Sequence, residues 1–304
     1  MSTVSVTIAP HSAKPKGLTS AERMIAPADI SGLAYVRADA RTRRAMLADA
    51  RVTWRAFRVS QGMADRAPNI LTPPDAQPKL RKSIAPTYGL TLVPAMRSGR
   101  NLCPAATFCA EVCLVDTGKG VLSSVAHARL VRALFAMEHA SAFGILLASE
   151  ILRAIAKHGR RRMRVRLNVL SDIRWEIVMP NTLRALIRAG ARFYDYSKWA
   201  PKLRAHSTGL VHLTYSASER MTDSDIHALV SAGHNVAVVF RAPKRAVHSA
   251  IAAGATWQGL PMVDGLATDD RTTDAQGVIV ALAALGSARH DTSGFVRTFA
   301  ITLP

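Results

Sequence analysis

The sequence predicts an α/β protein: an irregular or incomplete (β/α) TIM-like barrel with a basic, partly helical N-terminal extension. Short apolar strands alternate with amphipathic helices from residue 163 onward, which is the pattern of parallel βα units. Gly190, Gly233 and Gly254 follow three of those helices, where a left-handed C-cap favours glycine. Seven strands are countable in the sequence, one short of a complete barrel. No glycine-rich phosphate fingerprint follows the first strand, which argues against an open doubly wound dinucleotide fold.

Residues 1–84 read as the extension and 85–304 as the barrel-like domain. Residues 1–30 mix Ser, Thr, Ala and Pro with Lys14 and Lys16, the composition of a poorly ordered arm. Arg41–Ser60 has helical spacing, with Met46, Leu47, Val52, Trp54 and Phe57 set among six arginines; this is a basic amphipathic helix. Pro68, Pro73, Pro74 and Pro78 mark a linker to about Ile84. Leu90–Pro94 is the first strand, and Val121–His158 is a long helical region that splits near Ala140 and Ser141. Strands are then expected at Met163–Val169, Phe193–Tyr196, Leu210–Tyr215, Asn235–Phe240, Gly259–Val263 and Gly277–Leu285. Helices are expected at Asn181–Ala189, Ser224–Ala232 and Pro243–Ala253, with an irregular connection instead of a helix around Lys198-Trp-Ala-Pro-Lys202.

Lys and Arg number 40 against 21 Asp and Glu, a net charge of +19. A surplus of that size favours polyanionic partners through counterion release, nucleic acid first. Residues 1–100 hold sixteen of the basic and six of the acidic residues, so the N-terminal third is the expected contact. Arg160, Arg161 and Arg162 precede a strand and belong near the opposite face of a barrel from its active site, as a solvated patch or a phosphate contact. No apolar run reaches the ~20 residues of a membrane span, and Met1–Gly17 lacks the apolar core of a signal peptide. A cytoplasmic protein with reduced thiols is expected.

All three cysteines, Cys103, Cys109 and Cys113, fall within eleven residues, with Pro104 after the first and Gly118-Lys119-Gly120 behind the last. An odd number of thiols in one loop suits a metal or an iron–sulfur cluster better than a disulfide. Three thiolates leave one iron of a cluster open, whereas a structural zinc needs a fourth ligand. His127 is the nearest histidine downstream. Residues just past the strand ends of a barrel face its active site, and here they are polar. They include Asn168, Ser171, Asp172 and Glu176, then Ser197 and Lys198, then Tyr215 to Glu219, and Asp264 at the start of an acidic loop. Asp172, Glu176, Lys198 and Asp264 are the candidates for proton transfer and substrate orientation.

The segments Asn101-Leu-Cys-Pro104, Val165-Arg-Leu-Asn-Val-Leu-Ser-Asp-Ile-Arg-Trp-Glu176, Tyr194-Asp-Tyr-Ser-Lys198, His212-Leu-Thr-Tyr-Ser216, Asn235-Val-Ala-Val-Val-Phe240 and Asp291-Thr-Ser-Gly-Phe-Val296 resemble the phage gene product 88 domain family over roughly residues 85–300. More distantly, a three-cysteine loop after the first strand of a partial barrel is similar to radical S-adenosylmethionine enzymes. That likeness implies a [4Fe–4S] cluster on Cys103, Cys109 and Cys113, with S-adenosylmethionine on the open iron and Asn168, Ser171 and Tyr215 as cofactor contacts. The spacing differs from the usual one: five residues separate the first pair and three the second. The expected function is therefore a radical S-adenosylmethionine-like barrel enzyme acting on nucleic acid or nucleotides. The alternatives are a zinc barrel resembling transglycosylases, with Asp172 or Asp264 as nucleophile, and a non-catalytic DNA-binding replication or regulatory protein.

Overall fold

Thr19 and Glu22 cap the first helix reciprocally, each side chain accepting from the other's backbone N–H. The computed structural model that shows this describes residues 17–304 apart from 77, 112 and 114–121. Helix α1 (Ser20–Ile25) leads to α2 (Ala28–Arg37) and α3 (Ala40–Ser60), the last opened by Asp39 accepting from Thr42 N. The basic helix expected at Arg41–Ser60 is thus present. The expected arm is not, over the part of it that is described: Ala21, Ile25 and Ala28 are buried in the main core, and Trp54 and Phe57 pack tilted against Phe135. Small residues set this docking. A Cβ at Gly144 would lie 2.3 Å from the Ala28 carbonyl oxygen, so a glycine is required where α2 crosses the later helix.

The proline-marked linker is also structured. It contains strand β1 (Leu71–Thr72) and the short helix α4 (Pro78–Arg81), and β1 pairs antiparallel with β2 (Thr87–Leu90). The short helix α5 (Phe108–Glu111) follows in the cysteine loop. Helices α6 (Ser123–Glu138) and α7 (Ala140–His158) divide where the sequence predicts and bend by 114°. No single helix among the described residues is long and apolar enough to cross a membrane.

Glu150, buried on α7, accepts from the backbone N–H groups of Ile70 and Leu71 at 2.9 and 2.8 Å and so fixes the edge strand. Burial pushes its carboxyl from the ordinary 4.5 up to about 7. A raised folded-state value means that the folded protein binds this proton more tightly than the unfolded chain. Its favourable contribution is complete below pH 4.5 and is lost as pH rises to about 7, by about 3 kcal/mol. Chemical denaturation of wild type and Glu150→Gln between pH 5 and 8 should show the gap between them changing by about that amount; parallel profiles would contradict the assignment.

From β3 (Arg164–Arg166) the chain alternates: α8 (Trp175–Val178), α9 (Pro180–Ala189), β4 (Phe193–Ser197), β5 (Val211–Ser216), α10 (Asp223–Ser231), β6 (Asn235–Phe240) and α11 (Lys244–Ala252). The remainder is β7 (Thr256–Trp257), β8 (Leu260–Asp264), β9 (Ile279–Ala283), β10 (Val296–Arg297) and β11 (Ile301–Thr302). Among the described residues these form a mixed α/β protein around an eleven-stranded sheet ordered β1-β2-β3-β4-β5-β6-β9-β8-β7-β11, with β10 beside β6. Strands β2 through β6, β9 and β8 run parallel. One feature departs from sequential barrel winding: β9 inserts between β6 and β8. The pairings follow an open path, and no pairing joins its ends among the described residues. One apolar layer lies between the helices and Val165, Leu167 and Phe193, and a second surrounds Val236, Val238, Phe240 and Trp257.

Candidate functional site

The carboxyl ends of β3, β4 and β5 carry a buried polar cluster, and the cysteine loop lies on it. Asn168 organises the turn after β3. Its Oδ1 accepts from Ser171 Oγ (2.8 Å), Ile173 N (3.0 Å) and Trp175 Nε1 (3.0 Å), while its Nδ2 donates to Ile173 O (2.8 Å) and to Asp195 Oδ2. Asn168 is thereby fully engaged inside the protein, and the Ser171 hydroxyl donates its proton to it. Of the three residues proposed as cofactor contacts, Tyr215 is also buried, with its ring edge on His234 at 5.2 Å and its hydroxyl pushed up by burial.

Asp172 is the junction of the cluster. Its carboxylate accepts from Ser197 Oγ (2.9 Å) and Lys198 N (2.8 Å) and lies 3.3 Å from Arg204 NH1. Its N–H donates to Leu102 O (2.8 Å), and its carbonyl accepts from Trp199 Nε1 (2.8 Å). Burial raises the Asp172 carboxyl, against the lowering effect of Arg204. Glu176 forms a two-pronged ion pair with Arg204, at 2.5 Å to Nε and 3.1 Å to NH2, with both side chains sealed from solvent. Such pairs hold geometry at the cost of desolvating two charges, so Glu176 is a structural partner of Arg204 in this arrangement.

The cysteine loop docks directly on this turn. Cys103 is buried, with Ala95 N donating to its Sγ (3.4 Å) and Sγ facing Leu170 O (3.3 Å). Burial pushes its thiol up to about 12, and the neighbouring Asp172, Cys109 and Cys113 act in the same direction. Cys109, half-buried beside Phe108 and Phe295, is raised by burial, while Lys198 opposes that shift. Phe108 N donates to Glu219 Oε1 at 3.4 Å. Lys198 donates from Nζ to Ala217 O (3.0 Å) and sits 4.9 Å from the Phe295 ring centroid. The three thiols, Asp172, Lys198 and Glu219 therefore share one electrostatic neighbourhood. No group of three His, Cys, Asp or Glu side chains is already placed to hold a metal ion among the described residues. The Gly118–Gly120 turn lies outside the described residues. His127 is elsewhere engaged, its Nε2 bonded to Gln61 O at 2.9 Å.

Asp264 stands apart. Its carboxylate accepts from Leu266 N (2.7 Å) and Ala267 N (3.1 Å) and pairs with His248 Nδ1, so it builds the turn after β8. The acidic loop that follows is absorbed by the sheet. Asp269 accepts from Arg166 NH1 (2.9 and 2.8 Å) and Tyr194 OH (2.8 Å), and Asp270 pairs with Arg164 (3.2 Å).

Two members of the cluster, Arg204 and Asp195, are absent from the candidates read in the sequence, and a third, Glu219, is given no role there. Arg204 sits in the irregular connection, where no periodicity marks a buried arginine. Glu219 was visible only as one more polar residue after β5. Asp195 carried the clearest signal, an aspartate inside a strand, where that residue is depleted; burial pushes it up to about 8.

A largely parallel sheet with a buried, ion-paired polar cluster at its carboxyl edge and a cysteine loop over that cluster defines an α/β protein with one candidate centre. The family model described as Gene product 88 matches residues 63–298. The chain belongs to that family. No curated protein and no solved structure matches the chain.

Proposed function

We propose that the chain is a partial-barrel enzyme whose carboxyl rim carries a metal centre on Cys103, Cys109 and Cys113, a [4Fe–4S] cluster with S-adenosylmethionine as its ligand. The observation that carries this reading is the electrostatic proximity of all three thiols to one another and to Asp172, with Lys198 and Glu219 beside Cys109. Buried thiols held neutral by desolvation ionise when a cation takes the place of their protons. Lys198 lowers the cost of a thiolate at Cys109, and Glu219 and Lys198 are the groups best situated to orient a substrate or move a proton at that mouth. When bound, such a cluster supplies an electron and an open coordination site.

Curvature of the sheet supports the barrel reading. Laid flat, β8 would lie roughly 24 Å from β3. The segment that starts at Asp264 opens in a tight turn, yet Asp269 reaches Arg166 and Leu266 O accepts from Lys82 Nζ at 3.4 Å. The surplus of basic residues favours a polyanionic substrate, a nucleic acid or a nucleotide. Anaerobically reconstituted, reduced protein is expected to cleave S-adenosylmethionine slowly to methionine and 5′-deoxyadenosine. Neither binding nor cleavage would remove this cofactor and leave a zinc–thiolate barrel as the better reading.

A further inference from the structure

We infer that the amino-terminal end of the sheet carries a second binding surface, one that holds the phosphate backbone of a nucleic acid. Lys157, Arg160, Arg161, Arg162, Arg188 and Arg192 are exposed there, on the last turns of α7 and α9 and on the two loops that follow them. None of them has a carboxylate within ion-pair distance among the described residues. The loops are held together by two backbone hydrogen bonds, Arg161 N to Gly190 O (2.7 Å) and Val165 N to Arg192 O (2.9 Å), and by the Arg160 guanidinium, which donates from NH2 to Arg188 O (2.8 Å). A Cβ at Gly190 would meet Arg160 Cα at 2.9 Å. Arg161 itself is held at φ 62°, a left-handed conformation that side-chain-bearing residues rarely adopt. Three consecutive arginines are thus displayed on a fixed turn. Beside them a shallow surface depression of about 410 Å³ lies between Pro86, His158, Arg161, Arg162 and Arg164.

Unpaired guanidinium groups this close repel one another, and a polyanion relieves that repulsion while accepting two parallel hydrogen bonds per phosphate. The basic helix α3 is less available. Arg43 and Arg58 are spent on backbone carbonyls of Tyr35, Val36, Ala64 and Arg66, and Arg55 is paired with Asp65. A membrane surface fits less well than nucleic acid, because membrane-bound basic surfaces carry an apolar wedge and here Ile84 is, among the described residues, the one strongly exposed large apolar side chain beside the depression. The inference is independent of the chemistry at the rim.

The test is fluorescence anisotropy of the full chain with a short labelled DNA duplex across a range of salt concentrations. In the variant Arg160→Ser, Arg161→Gly, Arg162→Ser, glycine keeps the left-handed turn while the charges go. The slope of log affinity against log salt should fall by about 2.7, with roughly tenfold or greater weakening. Lys157→Ser with Arg188→Ser, on helix ends outside that turn, should lower the slope by about 1.8. Arg41→Ser, Arg44→Ser and Arg51→Ser on α3 should leave most of the binding. Wild-type affinity and slope in both patch variants would overturn the proposal. So would capture by phosphatidylserine vesicles with no binding to DNA, or loss confined to the α3 variant.

Discussion

Arg204→Met is expected to lower the stability of the protein by about 3–5 kcal/mol, the cost of leaving a buried carboxylate without its partner. The side chain is inaccessible to solvent, as is that of Glu176, and the same guanidinium reaches Asp172 Oδ1 and Ser197 Oγ. Removing it exposes two buried acids to an uncompensated environment, and the turn that supports the cysteine loop loses its anchor. Adding Glu176→Met to the same chain should restore part of the loss, because replacing both members of a buried pair by apolar groups is close to neutral while Asp172 still lacks its cation. Denaturant unfolding of the single and double variants measures both effects. A single variant within 1 kcal/mol of wild type would show that the pair does not hold this end of the sheet.

Cys109→Ala is expected to strip nearly all metal from the protein at little cost in stability. The side chain is half-buried against Phe108 and Phe295, so truncation removes modest packing, and two remaining thiolates cannot hold a cluster that needs at least three. The measurement is metal per chain after anaerobic purification, with a thermal melt to verify folding. Unchanged stoichiometry in a folded variant would return Cys109 to a packing role.

The βα region was legible because its strands and helices obey simple periods, and Asn235–Phe240 has the same bounds in sequence and structure. Helices α1 and α2 were not. Their sequence is rich in Ala and Ser with little amphipathic contrast, and what fixes them is tertiary: Glu22 ion-paired to Arg174 at 2.7 Å and Asp29 accepting from Thr182 N at 2.7 Å. The consequence for experiment is direct. Removing residues 1–60 to test the basic third would remove Ile25, Trp54 and Phe57 from the core, so point substitutions must replace the truncation. At the rim, residue type was readable and role was not. Asp172 looks like a loop residue in the sequence, yet its carboxylate is held by Ser197, Lys198 and Arg204; Asp172→Asn therefore perturbs folding as well as any chemistry. The insertion of β9 between β6 and β8 was unreadable because strand order depends on which edge a connection crosses, which local pattern does not encode.

Metal and acid-labile sulfide content of the anaerobically purified full chain, read with its absorption spectrum, decides whether the three thiols hold a cluster. A brown protein containing iron and sulfide in equal amounts is expected, with a broad absorption band that bleaches on reduction and is lost in Cys103→Ala, Cys109→Ala and Cys113→Ala alike. A colourless, folded protein with neither metal nor sulfide, and with three thiols that titrate freely after unfolding, would contradict the cluster.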